Sequence, residues 1–373
     1  MNHLNQLLQI NLQFHDYKFA LFCFFTSFVV TLFVIPVLIR FVNKYKLYDK
    51  PNERKEHRSP VPTLGGVAVI AGFSFSILLW FPFLADPGQV CFFFSLAILF
   101  GMGIMDDLKD LPAKNKFIIQ LALASLIALS GNRIISFNGL FGIGTLSLFS
   151  QYLFTIFVIV GVTNAFNLID GIDGLAGGIG FMSLVTLGIF IILNGDYATA
   201  LIAFALAGGL LAFLYFNFNP AKIFMGDTGS LVLGFVVSFL CIKLLQANAA
   251  ASSPVLPHAV VFIFGIVLIP VFDTLRVFAY RIWRGKSPFS ADRTHIHHLL
   301  TNNGFSHGFA ARIICIIHGI VLIEIYLLRN LRQEWIILLS FLFMIAATFI
   351  LYKSKLFFGT IMSLNKKEKI AEG

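Results

Sequence analysis

The side chains able to do chemistry in this sequence are gathered into a few short stretches. NAFNLIDGIDGLAGG (164–178) sets Asn164, Asn167, Asp170 and Asp173 at three-residue intervals, interleaved with glycines. On a regular helix that spacing drifts by about 60° per step. The four polar groups therefore cannot share a helix face, and the glycines favour a helix end opening into a tight loop. GIMDDLKDLPAKNK (103–116) supplies Asp106 and Asp107, then Lys114 and Lys116. NFNPAKIFMGDTGS (217–230) places Asp227 in a glycine-rich turn before an apolar helix expected from about Leu231. Thr228 or Ser230 would cap that helix, whose N-terminus would offer free N–H groups to a phosphate. The stretch lacks the lysine of a Walker A loop. SPFSADRTHIHHLL (287–300) carries Arg293, His295, His297 and His298. These histidines have neither an H-x-x-x-H spacing nor a cysteine partner, so phosphate binding beside Arg293 is expected rather than zinc.

The elements that must position these groups are apolar. Of 373 residues, 58% are hydrophobic and 12% charged. Soluble domains carry about a quarter charged residues, and the mean hydropathy of +0.87 marks an integral membrane protein. No polar interval is long enough to fold alone, so residues 1–373 are read as one membrane-embedded domain. A spanning helix needs about 20 apolar residues, and about eleven candidates are present. Their centres lie near residues 30, 73, 97, 124, 157, 186, 207, 237, 268, 319 and 342, the fourth being short. The expected fold is all-α and polytopic. Residues 1–17 lack the basic start of a cleavable signal, so the first span is expected to be an uncleaved anchor. Cys23, Cys91, Cys241 and Cys315 fall in four different apolar runs and read as core filler.

Alternate loops define one face: 40–63, 105–116, 164–176, 217–228, 276–312 and the tail after 352. That face holds all of the 27 Lys and Arg except Lys18, Arg133, Lys243, Arg329 and Arg332. By the positive-inside bias it is cytoplasmic, with the N-terminus outside and the C-terminus cytoplasmic. The net charge of +9 is then a basic inner face suited to anionic lipid and phosphate, and no nucleic-acid partner is needed. The acids make a separate observation. Asp106, Asp107, Asp110, Asp170, Asp173, Asp227, Asp273 and Asp292 all fall on the same face. Carboxylates so crowded repel one another unless a cation sits among them. Mg2+ suits such a place, being held by one or two carboxylates together with substrate phosphates.

HRSPVPTLGG (57–66) and the four stretches above occur in order, each in its own loop of this face. In this the chain resembles the polyprenyl-phosphate N-acetylhexosamine-1-phosphate transferase superfamily, or glycosyltransferase family 4, over roughly residues 20–350. The resemblance implies transfer of an N-acetylhexosamine 1-phosphate from a UDP-sugar to undecaprenyl phosphate, with release of UMP. It implies Mg2+, or Mn2+, as cofactor, and catalytic loops at 43–63, 105–116, 164–176, 217–228 and 282–311. By motif position Asp227 and Asn167 match the metal-binding residues, and Asp106 and Asp107 the acidic pair facing the lipid phosphate. Asp170 and Asp173 match residues at the nucleotide end, with Phe224 placed to stack on uracil. Arg58, Lys114, Lys116, Arg293 and the three histidines would take phosphate and sugar-phosphate charge. Direct in-line attack is favoured, with a covalent aspartyl intermediate left open.

HIHH in place of three consecutive histidines makes UDP-GlcNAc the leading donor. Another UDP-N-acetyl sugar and UDP-MurNAc-pentapeptide are the alternatives. The implied setting is the bacterial cytoplasmic (inner) membrane, with the site facing the cytoplasm and the product feeding a cell-envelope glycan such as O-antigen. The expected partners are the polyprenyl phosphate lipid, the UDP-sugar and the bilayer, with a homodimer as the assembly to test. A transporter would place its acids at mid-bilayer, and a CDP-alcohol phosphotransferase would follow D-G-x-x-A with an arginine; neither pattern is present.

Overall fold

The computed structural model describes residues 2–45, 61–83, 86–218, 220–287 and 294–371, with side chains described between Tyr17 and Lys353. Arg58 and Arg293 lie outside the described residues. The helices are α1 (Asn2–Tyr45), α2 (Gly65–Trp80), α3 (Pro87–Lys109), α4 (Ala113–Leu129), α5 (Leu148–Ile169), α6 (Leu175–Leu193) and α7 (Tyr197–Asn217). They continue as α8 (Gly226–Ala250), α9 (Ala259–Trp283), α10 (Ile296–Thr301), α11 (His307–Leu327) and α12 (Gln333–Ala371). A hairpin of β1 (Ser136–Leu140) and β2 (Ile143–Thr145) joins α4 to α5.

Among the described residues nine helices are long and apolar enough to cross a membrane, and α2, with 16 residues, is a shorter apolar helix. Every expected span centre falls inside a helix, and the fourth, α4, is short at 17 residues. The chain is thus an all-α polytopic membrane protein. Leu78, Phe149 and Phe157 are each more than two-thirds exposed, which is the surface a helix turns to hydrocarbon rather than water.

The bundle is built around α8, buried along nearly its whole length and packed by α3, α5 and α6. Between helices in lipid the hydrophobic effect supplies little attraction, so close backbone approach through small residues takes its place. A Cβ on Gly66 would sit 2.2 Å from the backbone nitrogen of Gly229, and one on Gly103 2.5 Å from the Cα of Thr228. These two glycines bring α2 and α3 onto the first turn of α8. The preceding loop is fixed by backbone pairing: Phe224 N donates to Pro62 O (2.7 Å), Gly65 N to Phe224 O (2.8 Å) and Gly66 N to Met225 O (2.8 Å). The ends of α3 and α5 and the starts of α2, α4 and α8 therefore meet at one end of the bundle, which carries the polar motifs. Cys23 and Cys241 are buried, Cys91 and Cys315 half-buried, and all four are free thiols within the packing.

Candidate active site

The site is assembled on the first turn of α8. That helix begins at Gly226, about five residues before the start expected at Leu231, and no side chain of its own caps it. The cap comes from α3. Asp107 accepts from Asp227 N (2.7 Å), Thr228 N (3.1 Å) and the Thr228 hydroxyl (2.5 Å). Ser230 does not cap either; its hydroxyl donates back to Gly226 O (3.0 Å). The N–H groups expected to meet a phosphate are thus occupied by a carboxylate, the favoured partner of a helix N-terminus. Gly226 must be glycine: its φ is +70°, and a Cβ there would meet Thr63 O at 2.1 Å and both Asp107 carboxylate oxygens within 2.7 Å.

With the backbone of Asp227 fixed in this way, its carboxylate turns to two other helices. Asn167, in the last turn of α5, donates to Asp227 Oδ1 (2.8 Å) and to Ser230 Oγ (3.0 Å). Lys116, in the first turn of α4, reaches Asp227 Oδ2 (3.1 Å) and Asp106 Oδ2 (2.5 Å). Asp106 is buried and also accepts from Leu111 N (2.7 Å), across the turn where Asp110 takes the left-handed conformation with φ 49°. Adjacent in sequence, Asp106 and Asp107 have separate tasks: one holds Lys116, the other holds α8. One turn further along α4, Gln120 accepts from Asn164 (2.5 Å) and so keeps α4 against α5.

Asp170 ends α5 as its C-cap, half-buried beside this group. Desolvation first, then the negative charges of Asp227, Asp107 and Asp173, push its carboxyl up to about 8. Asp173 is buried and faces inward: Oδ2 accepts from Ala221 N (3.2 Å) and Oδ1 lies 3.8 Å from His307 Nδ1. It braces the loop before α8, as does Asn217, which accepts from Gly174 N (2.8 Å) and donates to Ile223 O (2.8 Å). Phe224 is half-buried at the edge of that loop, and Lys114 is exposed on the α4 turn that carries Lys116.

The histidine stretch is brought to the same place. A Cβ on Gly171 would lie 2.4 Å from His297 Nε2, so the His297 ring rests on the glycine of the IDGIDG loop. The ring stacks parallel to His295 at 5.7 Å and lies 4.2 Å from His298. Burial, with the neighbouring histidines, drives its pKa down to about 3, so His297 is neutral. His295 pairs with Asp273 of α9 at 2.8 Å. Sequence reading did not single out Gln120, Asn217, Arg276 or His307, and placed Asp273 only as one acid at the boundary. Each is a lone polar residue in an apolar or loop setting, with no local signal beyond being polar there.

Among the described residues no three His, Cys, Asp or Glu side chains converge into a closed metal cage. What is present is a carboxylate and an amide on adjacent helices, Asp227 and Asn167, with Asp106 and Asp170 behind them and Lys116 as countercharge. An oxygen-rich but incomplete donor set of this kind fits Mg2+, whose shell is finished by water and substrate phosphate.

A helical membrane body with carboxylates, an amide and a lysine converging at one end defines a class: integral membrane enzymes acting on charged groups at the edge of the bilayer. Residues 89–245 match the family described as Glycosyl transferase family 4. A probable undecaprenyl-phosphate N-acetylglucosaminyl 1-phosphate transferase of Bacillus subtilis (strain 168) is 34% identical over 309 residues, covering 82% of this chain and 84% of that protein. The undecaprenyl-phosphate alpha-N-acetylglucosaminyl 1-phosphate transferase of Escherichia coli (strain K12) is 31% identical over 330 residues, covering 84% and 87%. That of Yersinia pestis is 30% identical over 307 residues, covering 80% and 82%. The chain belongs to glycosyl transferase family 4.

Proposed function

We propose that this protein transfers N-acetylglucosamine 1-phosphate from UDP-GlcNAc to undecaprenyl phosphate in a bacterial cytoplasmic membrane, releasing UMP on the cytoplasmic side. The observation that carries the reading is the convergence of Asp106, Lys116, Asn167 and Asp227 from four helices. The curated relatives named for this activity, similar over most of both chains, support it. The basic loops support a cytoplasmic site, an N-terminus outside and a C-terminus inside.

An oxygen of the lipid phosphate attacks the β-phosphorus of the donor; the bond to the UMP oxygen breaks, and a polyprenyl diphosphate sugar is formed. A phosphate monoester is largely dianionic near neutral pH, so no strong base is required. The work left to the protein is holding two anions in line and offsetting their charge. Asp227 and Asn167 would hold Mg2+, or Mn2+, and the chemistry such an ion would supply there is neutralisation of diphosphate charge. Lys116 and Lys114 carry positive charge toward the phosphates, and Phe224 offers a ring to uracil. Asp170 and Asp173 shape the nucleotide end, the latter by bracing the loop before α8. His295, His297 and His298, with Arg293, serve the sugar-phosphate side, and Arg58 joins the two lysines in taking phosphate charge.

Direct attack is favoured over a covalent aspartyl intermediate on specific grounds. Both oxygens of Asp107 are engaged by the first turn of α8, and Asp106 is buried against Lys116 and Leu111 N. Neither offers a free oxygen as nucleophile. The test is UMP release by detergent-solubilised protein given Mg2+, undecaprenyl phosphate and a panel of UDP-N-acetyl sugars. Turnover is expected to be fastest with UDP-GlcNAc, and silence across the panel would remove the transferase reading.

A further inference from the structure

The proposed machinery makes no use of Asp273, a carboxylate only 1% exposed on α9. Its bonds nearly all lead to one short segment. Oδ1 accepts from the backbone N–H of Ile296 (2.9 Å), the first residue of α10, and from Arg276 Nη2 (2.9 Å). Oδ2 faces His295 Nδ1 at 2.8 Å. The same Arg276 nitrogen donates to the carbonyl of Thr294. One turn of α9 thus holds residues 294, 295 and 296 in succession, immediately before His297, whose ring rests on Gly171.

We infer that Asp273 and Arg276 are positioning residues for the proposed reaction: they dock the histidine segment onto the acid-rich loop and set the tautomer of His295. An ionised carboxylate only accepts hydrogen bonds. His295 must therefore carry its proton on Nδ1, and Nε2 is left as the nitrogen available to another group. A carboxylate behind an imidazole has this orienting effect in other sites. Burying Asp273 would be costly without partners; here Ile296 N–H, His295 and Arg276 satisfy it. Gly171 completes the dock, since any side chain there would collide with the His297 ring.

The inference rests on the transferase reading, so the test has one readout that needs no turnover. Asp273→Ala removes the dock, while Asp273→Asn keeps an acceptor for Ile296 N–H and presents an N–H to His295, reversing its tautomer. In hydrogen exchange, Asp273→Ala is expected to lose protection at residues 295–299 and to leave residues 226–230 as in wild type. Asp273→Asn is expected to keep that protection and to lose turnover by about 100-fold, as for a misplaced catalytic group. Placed on His295→Ala, it should cost less than a further factor of about two, because the two act as a unit. Arg276→Ala is the second variant, expected to lose protection at 294–296 locally. Deprotection spread over the whole protein, or losses that multiply with His295→Ala, would overturn the inference. A wild type inactive on every UDP-N-acetyl sugar, yet with the exchange pattern intact, would overturn the transferase reading and leave the dock standing.

Discussion

Replacing Lys116 with methionine should tighten metal binding while stopping catalysis. The Lys116 ammonium stands 3.1 Å from Asp227 Oδ2 and 2.5 Å from Asp106 Oδ2, between the carboxylates where a divalent cation is proposed to act. A cation taking Asp227 must first break the contact with Lys116. Two unit charges 3.1 Å apart attract by roughly 5 kcal/mol at an effective dielectric of about 20. The side chains of Lys116 and Asp227 are 24% and 35% exposed, however, so solvent takes back most of this. A net cost of about 1–2 kcal/mol remains, in the range of a charge-assisted hydrogen bond. Lys116→Met removes that competitor, and the dissociation constant for Mn2+ should fall about tenfold. The assay is an electron paramagnetic resonance titration of Mn2+ against detergent-solubilised protein without substrates, with UMP release measured in parallel. Turnover should drop by roughly a hundredfold or more, since the lost ammonium also served phosphate charge. Unchanged or weaker Mn2+ binding in the variant would refute the competition.

Asp170→Asn tests the charge left uncompensated. Its folded pKa of about 8 lies above the ordinary carboxylate value, so the stability it contributes is full below about pH 4 and is lost as pH rises through about 8. In chelator the wild type should therefore lose thermal stability from pH 5 to pH 9 more steeply than Asp170→Asn; equal slopes would refute the assignment. Asp107→Ala strands Asp227 N, Thr228 N and the Thr228 hydroxyl, at about 1–3 kcal/mol for each group left unsatisfied. Its unfolding temperature should fall further than that of Thr228→Val, which loses the hydroxyl bond and leaves the two backbone bonds in place. Gly66→Ala puts a methyl carbon 2.2 Å from Gly229 N and should unfold or inactivate the protein, whereas Gly101→Ala, with nothing within 4 Å, should be silent in the same melting assay.

The spanning helices could be read from the sequence because each is a long apolar run, and in a bilayer the run itself dictates the helix; the six-residue α10 could not. The hairpin could not: its turn is Phe141–Gly142, with φ of 52° and 74°, a pair that is no usual turn signal, and its strands are only five and three residues long. The motifs pointed to loops that meet at one end of the bundle, yet the pairings inside them were invisible. Asp107 caps a helix that begins well over a hundred positions later, and Lys116 meets Asp227 across a similar separation. Local capping rules sought a Ser or Thr before Leu231, found two, and placed the helix start too late. The true cap comes from another helix, brought into reach by glycines on α2 and α3. Asp273 was hidden for the same reason: nothing in FDTLR says that its partners lie at 294–296.

The electrostatics of the site follow from how unevenly its acids are compensated. Asp107 is satisfied by the first turn of α8, and Asp106 by Lys116 and Leu111 N. Asp227 shares that same lysine and has the amide of Asn167, a weaker counterweight. Asp170 has no hydrogen-bond donor among the described residues, and its raised pKa registers the lack. Near neutral pH negative charge is thus concentrated on Asp227 at the start of α8, while Asp170, at the adjoining end of α5, ionises only as the pH rises through about 8. A rigid frame makes this lasting: with Gly66 and Gly103 fixing the helix approach and Asp107 fixing the turn, the two carboxyl groups cannot swing apart, and protonation of Asp170 is what relieves their repulsion. A divalent cation of the kind proposed for this site would favour the ionised form of Asp170 instead, so its binding should be accompanied by proton release near neutral pH.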